Sequence, residues 1–259
     1  MRQPRSVLFV LGTIVLLALV ITLFVLPQRK SASGQISIAA ASNFMDAIKS
    51  LAQRFEEKTG HKVVLSFGST GKLYAQIKNG APFDAFFAAD VKHPELLEEE
   101  KIALPGSRFT YAVGKIALWS SKAGFVDENG QVLKTDKFLH LAIANPELAP
   151  YGEAARAILQ AKGVWDKLQP KIVMGENIAQ TFQFVESGNA ELGFVALSQL
   201  KRPDQPAQGS YWQAPQSLYP LIEQQAVVLK DGETVRAFMD FVRSDTALDS
   251  IRGFGYGIP

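Results

Sequence analysis

The sequence predicts an α/β fold with largely parallel sheets. Short apolar runs rich in β-branched residues alternate along the chain with amphipathic stretches of helical period. Glycines or hydroxyl residues stand at many points where one kind of segment gives way to the other. The 259 residues, of which 47% are hydrophobic and 20% charged, fit a folded protein of one large or two small domains.

Residues 1–33 precede this pattern and differ from it. Val7–Leu26 is an apolar run without a charge, and Arg2 and Arg5 stand before it. Such a run predicts a secretory signal peptide or an N-terminal membrane anchor. Small residues at 31–33 offer a cleavage site, whereas the run itself is long enough to span a bilayer. Either alternative places the rest of the chain outside the cytoplasmic membrane.

The first half of the remaining chain begins with a predicted strand, Ile36–Ala41, and a predicted helix, Phe44–Lys58. The helix has its apolar residues on one face, and Gly60 follows it as a C-terminal glycine does. The same reasoning predicts further strands at Lys62–Phe67 and Phe83–Ala88, and further helices at Lys72–Asn79 and Pro94–Lys101.

The second half continues the alternation. Strands are predicted at Lys115–Ser120, Leu141–Ala144, Lys171–Met174, Gly193–Ala196 and Gln225–Leu229. Helices are predicted at Glu153–Lys162, Ile178–Gly188 and Thr234–Arg243, the last clear one. The Gly- and Pro-containing stretch Lys201–Pro215 is predicted to be a loop or an irregular return segment.

Composition and charge exclude several classes of function. Residues 1–33 contain four basic residues and no acid, so the remainder has a slight excess of acid and no sign of the basic face of a nucleic-acid binder. The chain has no cysteine, and His61, His93 and His140 are scattered, which argues against a thiolate or multi-histidine metal site. No catalytic arrangement stands out. We therefore expect no catalytic residues and no resident cofactor.

Four predicted strand-to-helix junctions form the candidate binding region. They lie at residues 39–43, 68–72, 145–152 and 175–178. Ligands of open α/β sheets bind at the carboxyl ends of the strands. The helices that start there direct unpaired N–H groups and the positive end of the helix dipole toward the same region. The pattern therefore predicts a site for an anion.

Each junction also has an explanation that needs no ligand. Ser42 fits the N-cap of the following helix, Tyr151 a half-buried aromatic residue, and Asn177 an ordinary N-cap. The segment Gly68-Ser69-Thr70-Gly71-Lys72 is not a nucleotide-binding phosphate loop, because only two residues separate its glycines and Leu73 follows the lysine. It remains either a capped turn or a turn whose amides and hydroxyls hold a small anion.

At these junctions the sequence resembles the periplasmic molybdate-binding proteins that supply molybdate ABC transporters. The likeness runs from about residue 35 to the end, and the order and spacing of its motifs are specific. The matching segments are Ala39–Phe44, Phe67–Ile77, Gly80–Asp90, Asn145-Pro146, Pro150–Gly152, Glu176–Ile178 and Leu192–Val195.

The resemblance implies the two-lobed periplasmic binding protein fold of type II. Each lobe would be a mixed, mostly parallel sheet flanked by helices, and the ligand would lie in the cleft between the lobes. Residues 34–114 plus 221–259 would form the first lobe, residues 115–220 the second, and residues 1–33 the signal peptide or anchor. Two chain segments would cross from one lobe to the other.

The resemblance also implies the site residues. Relatives of the better-known branch have a tyrosine where this chain has Ala196, so we expect Tyr151 to supply a phenol instead. The two hydroxyl residues of the family correspond to Ser42 and Thr70. The ligand-binding set carried over from the family is Ser42, Asn43, Ser69, Thr70, Tyr151 and Ile178, and it would hold the metal only through the oxygens of molybdate.

The expected function is capture of molybdate, and of tungstate, by a monomeric periplasmic protein that delivers the oxyanion to a membrane permease. We expect no nucleic-acid partner and no enzymatic activity. Three alternatives remain open at this point: a binding protein for another oxyanion such as sulfate or phosphate, an enzyme on the same two-lobed fold, and the sensor half of a transcription regulator. If the chain were an enzyme, Lys72 and Glu176 would be its only titratable candidates for a catalytic residue near the junctions.

Overall fold

The computed structural model describes residues 34–203 and 205–259. The predicted signal peptide or anchor in residues 1–33 lies outside this range. Within the described residues, no helix combines the length and the apolarity needed to cross a membrane. Gly34–Pro259 forms one unit, and its strands are arranged in two five-stranded sheets.

The first sheet has the strand order β2-β1-β3-β10-β4. Its strands are β1 (Gln35–Ala41), β2 (Lys62–Gly68), β3 (Ala85–Phe87), β4 (Phe109–Gly114) and β10 (Ile222–Val228). The strands β1, β2 and β3 are parallel, whereas β10 runs antiparallel to β3 and β4. The helices that accompany this sheet are α1 (Met45–Thr59), α2 (Thr70–Lys78), α3 (Lys92–Glu99), α8 (Glu233–Arg243) and α9 (Asp245–Gly253). We call this part the first lobe.

The second sheet has the strand order β7-β6-β8-β5-β9. Its strands are β5 (Ile116–Ser120), β6 (Leu141–Ala144), β7 (Ile172–Gly175), β8 (Leu192–Ala196) and β9 (Ser210–Gln213). The strands β6, β7 and β8 are parallel, and β5 pairs antiparallel with β8 and β9. Its helices are α4 (Pro150–Ala161), α5 (Trp165–Leu168), α6 (Ile178–Glu186) and α7 (Leu197–Leu200). This part is the second lobe.

The chain passes between the sheets twice. Strand β4 ends at Gly114 and β5 begins at Ile116, so Lys115 connects the two lobes. The return runs from a 3-10 turn at Gln216–Leu218 to the start of β10 at Ile222. Because both strands next to the crossings, β5 and β10, run antiparallel to their neighbours, each sheet is mixed.

The hydrophobic cores explain why the alternation of apolar strands and amphipathic helices in the sequence predicts the fold. One cluster packs the apolar face of α1 against β1, β3 and α8, with Phe44, Phe55, Phe87 and Phe238 among its members. A separate cluster in the second lobe surrounds α4 and the strands β5, β6 and β8. Each predicted strand and helix named above has a counterpart in the structure, with ends that differ by a few residues.

Two predictions were wrong. Lys201–Pro215 is not only a loop, because β9 lies within it and pairs with β5 from Ala117 to Ser120. Thr234–Arg243 is not the last helix, since α9 follows after Ser244, whose hydroxyl accepts a hydrogen bond from the Ala247 amide at 3.4 Å. Strand β9 owes its place to pairing with β5, which is distant in sequence, whereas α9 packs against both the preceding helix α8 and the distant helix α1.

Candidate functional site

A small cavity lies between the lobes, where strands of both sheets end. Its volume, mouth included, is about 180 Å³. The structure brings all six residues singled out from the sequence to its wall, together with small residues from the same junctions and from the end of β3. The lining residues are Ala41, Ser42, Asn43, Gly68, Ser69, Thr70 and Ala89 from the first lobe, and Ala149, Pro150, Tyr151 and Ile178 from the second.

Ser42 follows β1 directly and opens a 3-10 turn, Ser42–Phe44, that leads into α1. The explanation of Ser42 as an N-cap is wrong. The N-cap positions of the turn and of α1 are Ala41 and Phe44, and neither start is closed by a side-chain hydrogen bond. The Ser42 hydroxyl is therefore not consumed by a helix start and lies at the cavity wall.

Asn43 contributes differently from Ser42. Its carboxamide Nδ2 donates to Gln224 Oε1 at 2.8 Å and to Tyr256 Oη at 3.2 Å, and neither of these partners lines the cavity. Its carbonyl oxygen accepts from Tyr256 Oη at 2.7 Å and from Ser198 Oγ at 3.1 Å. Its side chain is thus held by a network next to the cavity.

The second junction supplies two hydroxyls. Thr70 Oγ1 accepts a hydrogen bond from the Ala89 amide at 3.0 Å, so its own proton remains available to an acceptor in the cavity. Ser69 is the N-cap of α2 but makes no capping bond, and its buried Oγ has no hydrogen-bond partner among the described residues. A buried hydroxyl without a partner is unfavourable unless something at the site completes it. Ser69 and Thr70 are therefore both candidate donors.

The start of α4 supplies a backbone donor from the second lobe. Pro150 occupies its first turn and has no N–H, while Gly152 and Glu153 both donate to the Ala149 carbonyl, at 2.8 and 3.1 Å. The Tyr151 N–H is the remaining donor of this turn, and the residue lies at the cavity wall. The phenol of Tyr151 accepts from Gln224 Nε2 at 3.1 Å.

The start of α6 supplies the second backbone donor. The explanation of Asn177 as an ordinary N-cap is confirmed, since its Oδ1 accepts from the amides of Ala179 at 3.0 Å and Gln180 at 3.1 Å. Thr181 N donates to the Asn177 carbonyl at 3.1 Å. The cap thus satisfies the amides that follow Ile178 and leaves the N–H of Ile178, a residue of the cavity wall, outside the cap.

The two lobes touch each other around the cavity, so the structure is in a closed arrangement. Gly71 N donates to the Leu148 carbonyl at 2.9 Å, and Lys72 Nζ lies 2.8 Å from Glu176 Oε1. Lys72 and Glu176 are about half exposed, so this ion pair adds little to stability. Because these contacts flank the residues that line the cavity, opening the lobes would separate the two sets of donors.

No residue that lines the described cavity carries a formal charge. Burial raises the pKa of the Tyr151 phenol well above its usual value, and the hydrogen bond from Gln224 opposes the shift only in part. The phenol therefore stays neutral throughout the physiological pH range. The wall consists of neutral hydroxyls and amides, and two helix starts from the second lobe add the positive ends of their dipoles. This arrangement can surround one small anion by hydrogen bonds alone.

Comparison with known proteins gives a consistent picture. A family model for bacterial extracellular solute-binding proteins matches residues 36–257. The molybdate-binding protein ModA of Azotobacter vinelandii is 49% identical over 229 residues, which cover 87% of this chain and 91% of that protein. ModA of Rhodobacter capsulatus is 46% identical and covers 87% and 89%. The solved structure of the Azotobacter vinelandii periplasmic molybdate-binding protein superposes with a TM-score of 0.83 at 44% identity, covering 86% of this chain and 99% of that one.

Proposed function

We propose that this chain, which belongs to the ModA family of bacterial extracellular solute-binding proteins, captures molybdate between its lobes and delivers it to the permease of an ABC transporter. The observation that carries the proposal is the closed cavity with its neutral donors from both lobes. The cavity is small, about 180 Å³ with its open mouth included, which favours one small ion over a larger organic ligand.

The chemistry of the wall suits a fully deprotonated dianion. Molybdate and tungstate carry no proton at neutral pH and need only donors. The side chains of Ser42, Ser69 and Thr70 and the amides of Tyr151 and Ile178 supply such donors, and no carboxylate lines the wall. Hydrogenphosphate brings a proton that needs an acceptor and is expected to bind less well. Donors to a charged oxygen each contribute about 1.5–3 kcal/mol.

We assign to the same protein tungstate as a second ligand, a monomeric state, no nucleic-acid partner and no resident cofactor. It would act in the periplasm, either released there or held by an uncleaved N-terminal anchor. We also propose that it is not an enzyme. In support, Lys72 and Glu176, the titratable pair near the junctions, bind each other on the surface and do not line the cavity.

Titration calorimetry with molybdate, tungstate, sulfate and phosphate tests this proposal. We expect one site per chain, binding of molybdate and tungstate, and weaker binding of phosphate, whose proton finds no acceptor; sulfate, also a fully deprotonated dianion, shows how far the cavity selects by size. Thermal unfolding should show the same order, because a ligand that binds only the folded state raises its melting temperature. No response to molybdate, or a stronger response to sulfate or phosphate, would assign the site to another ligand.

The affinity for molybdate is expected to be flat between about pH 6 and about pH 9. No lining residue changes its charge in that range, since burial holds the Tyr151 phenol in its neutral form. Calorimetry at several pH values in buffers of different ionisation enthalpy measures both the affinity and the number of protons taken up. Uptake or release of a proton on binding would show that a titrating group takes part.

A further inference from the structure

Gln224 is a fully buried side chain on β10 that the sequence analysis did not single out. Its Oε1 accepts a hydrogen bond from Asn43 Nδ2 at 2.8 Å. The same oxygen lies 3.0 Å from Tyr111 Oη, which shares its single proton with the Ala88 carbonyl at 3.0 Å. The Asn43 amide group can only donate at this position, so Gln224 presents its oxygen there and its Nε2 donates to Tyr151 Oη at 3.1 Å.

These bonds join the two lobes. Asn43 belongs to the turn that follows β1 in the first lobe, and Tyr151 belongs to the first turn of α4 in the second. Both residues line the cavity, whereas Gln224 does not. A single amide thus connects a ligand-facing segment of one lobe to a ligand-facing segment of the other, without touching the ligand itself.

We infer that Gln224 is a positioning residue for oxyanion binding, which holds the Asn43 and Tyr151 segments in the closed arrangement and so prolongs the lifetime of the complex. The inference rests on the proposed function and adds to it a residue outside the cavity wall. Opening of the cleft would carry Tyr151 away with the second lobe, so the inference takes its bond to Gln224 as specific to the closed form. An interaction present in one state alone shifts the population toward that state.

Gln224→Glu is the most informative variant, because it replaces one nitrogen by one oxygen. A protonated glutamic acid still accepts through one oxygen and donates through the other, as the amide does. An ionised one can only accept, so the Tyr151 phenol would have to reverse and donate to it, and it places a negative charge beside a cavity that holds a dianion. The affinity of this variant for molybdate should therefore approach that of the parent at about pH 5.5 and fall at least tenfold by about pH 9.

The groups that face position 224 do not supply such a pH dependence themselves. They are the phenols of Tyr111 on β4, Tyr151 on α4 and Tyr256 in the C-terminal segment, and burial raises the pKa of all three. Asp90 and Asp46 act on the Tyr111 and Tyr256 phenols through their charges. These tyrosines and aspartates are also present in the parent protein, so the pH dependence of its affinity for molybdate measures their contribution.

Gln224→Met and Gln225→Met form a matched pair of controls. Gln225 is the next residue on the strand, and among the described residues its carboxamide binds Arg108, at 3.0 Å, and Thr110, at 3.1 Å, both in the first lobe. Gln224→Met should weaken molybdate binding about tenfold, mainly through faster dissociation, with no pH dependence. Gln225→Met should affect the melting temperature at most, and its affinity for molybdate should stay as in the parent.

The effect of Gln224→Met should also shrink in a Tyr151→Phe background, because both changes remove the same hydrogen bond. Additive effects, or a Gln224→Glu protein with the pH profile and affinity of the parent, would overturn the inference. If Gln224→Glu does not fold, the double-mutant cycle of Gln224→Met and Tyr151→Phe decides the question. A parent protein that fails to bind molybdate would instead refute the proposed function, so the two failures are distinguishable.

Discussion

Thr70→Ala is expected to weaken molybdate binding by about ten- to a hundredfold, the equivalent of one lost hydrogen bond to a charged oxygen. The same change should lower the stability of the anion-free protein. Thr70 Oγ1 accepts from the Ala89 amide, and both residues are buried, so alanine leaves that amide without its acceptor. The expected cost is about 1–3 kcal/mol.

Two further variants separate these effects. Thr70→Ser keeps the hydroxyl and should retain most of the affinity and the bond to Ala89. Ser42→Ala should lose affinity with little change in melting temperature, since the Ser42 hydroxyl caps neither helix start. Calorimetry gives the affinity and thermal unfolding without anion gives the stability. Unchanged affinity in Thr70→Ala and Ser42→Ala would remove both hydroxyls from the site.

Gly114→Ala is expected to impair closure of the lobes and to weaken molybdate binding by about ten- to a hundredfold, as overpacking of a tight contact does. Gly114 ends β4 at the crossing between the lobes. A methyl group there would overlap the Tyr151 hydroxyl and lie 2.5 Å from Gln224 Nε2. Gly114 does not need a positive φ, so alanine fits its backbone and the effect is steric.

The clash with Tyr151 arises only when the second lobe closes onto the first. Small-angle scattering should therefore show a decrease in the radius of gyration of the parent on addition of molybdate, and little or no decrease in the variant. Gly253→Ala, at the end of α9 with open space around it, is the control for a glycine change as such. A Gly114→Ala protein that compacts and binds like the parent would contradict the steric role assigned to this glycine.

The sequence was sufficient for the parts of the site that depend on local structure. Hydroxyl residues and glycines at the ends of apolar strands predicted helix starts, and helix starts carry unpaired amides wherever they occur. This reasoning pointed to the junctions that contain Ser42, Thr70, Tyr151 and Ile178, and the family resemblance singled out these residues as the ligand-binding ones. The strand β9 was missed because its four residues carry no pattern that outweighs the surrounding Gly and Pro.

The tertiary structure decided which of these local features face the same point. The sequence by itself determined the alternation of strands and helices and the donors at their junctions, since these follow from short-range periodicity and capping. It did not reveal Gln224 or Gly114, because both act through contacts with residues that are distant in sequence. Gln224 binds Asn43, 181 positions away, and Tyr151, 73 positions away. It also did not show that Thr70 holds the Ala89 amide. The contacts of Asn43 and Thr70 exist only once the first sheet has formed, and those of Tyr151 with Gln224 and Gly114 also need the lobes to have closed on each other.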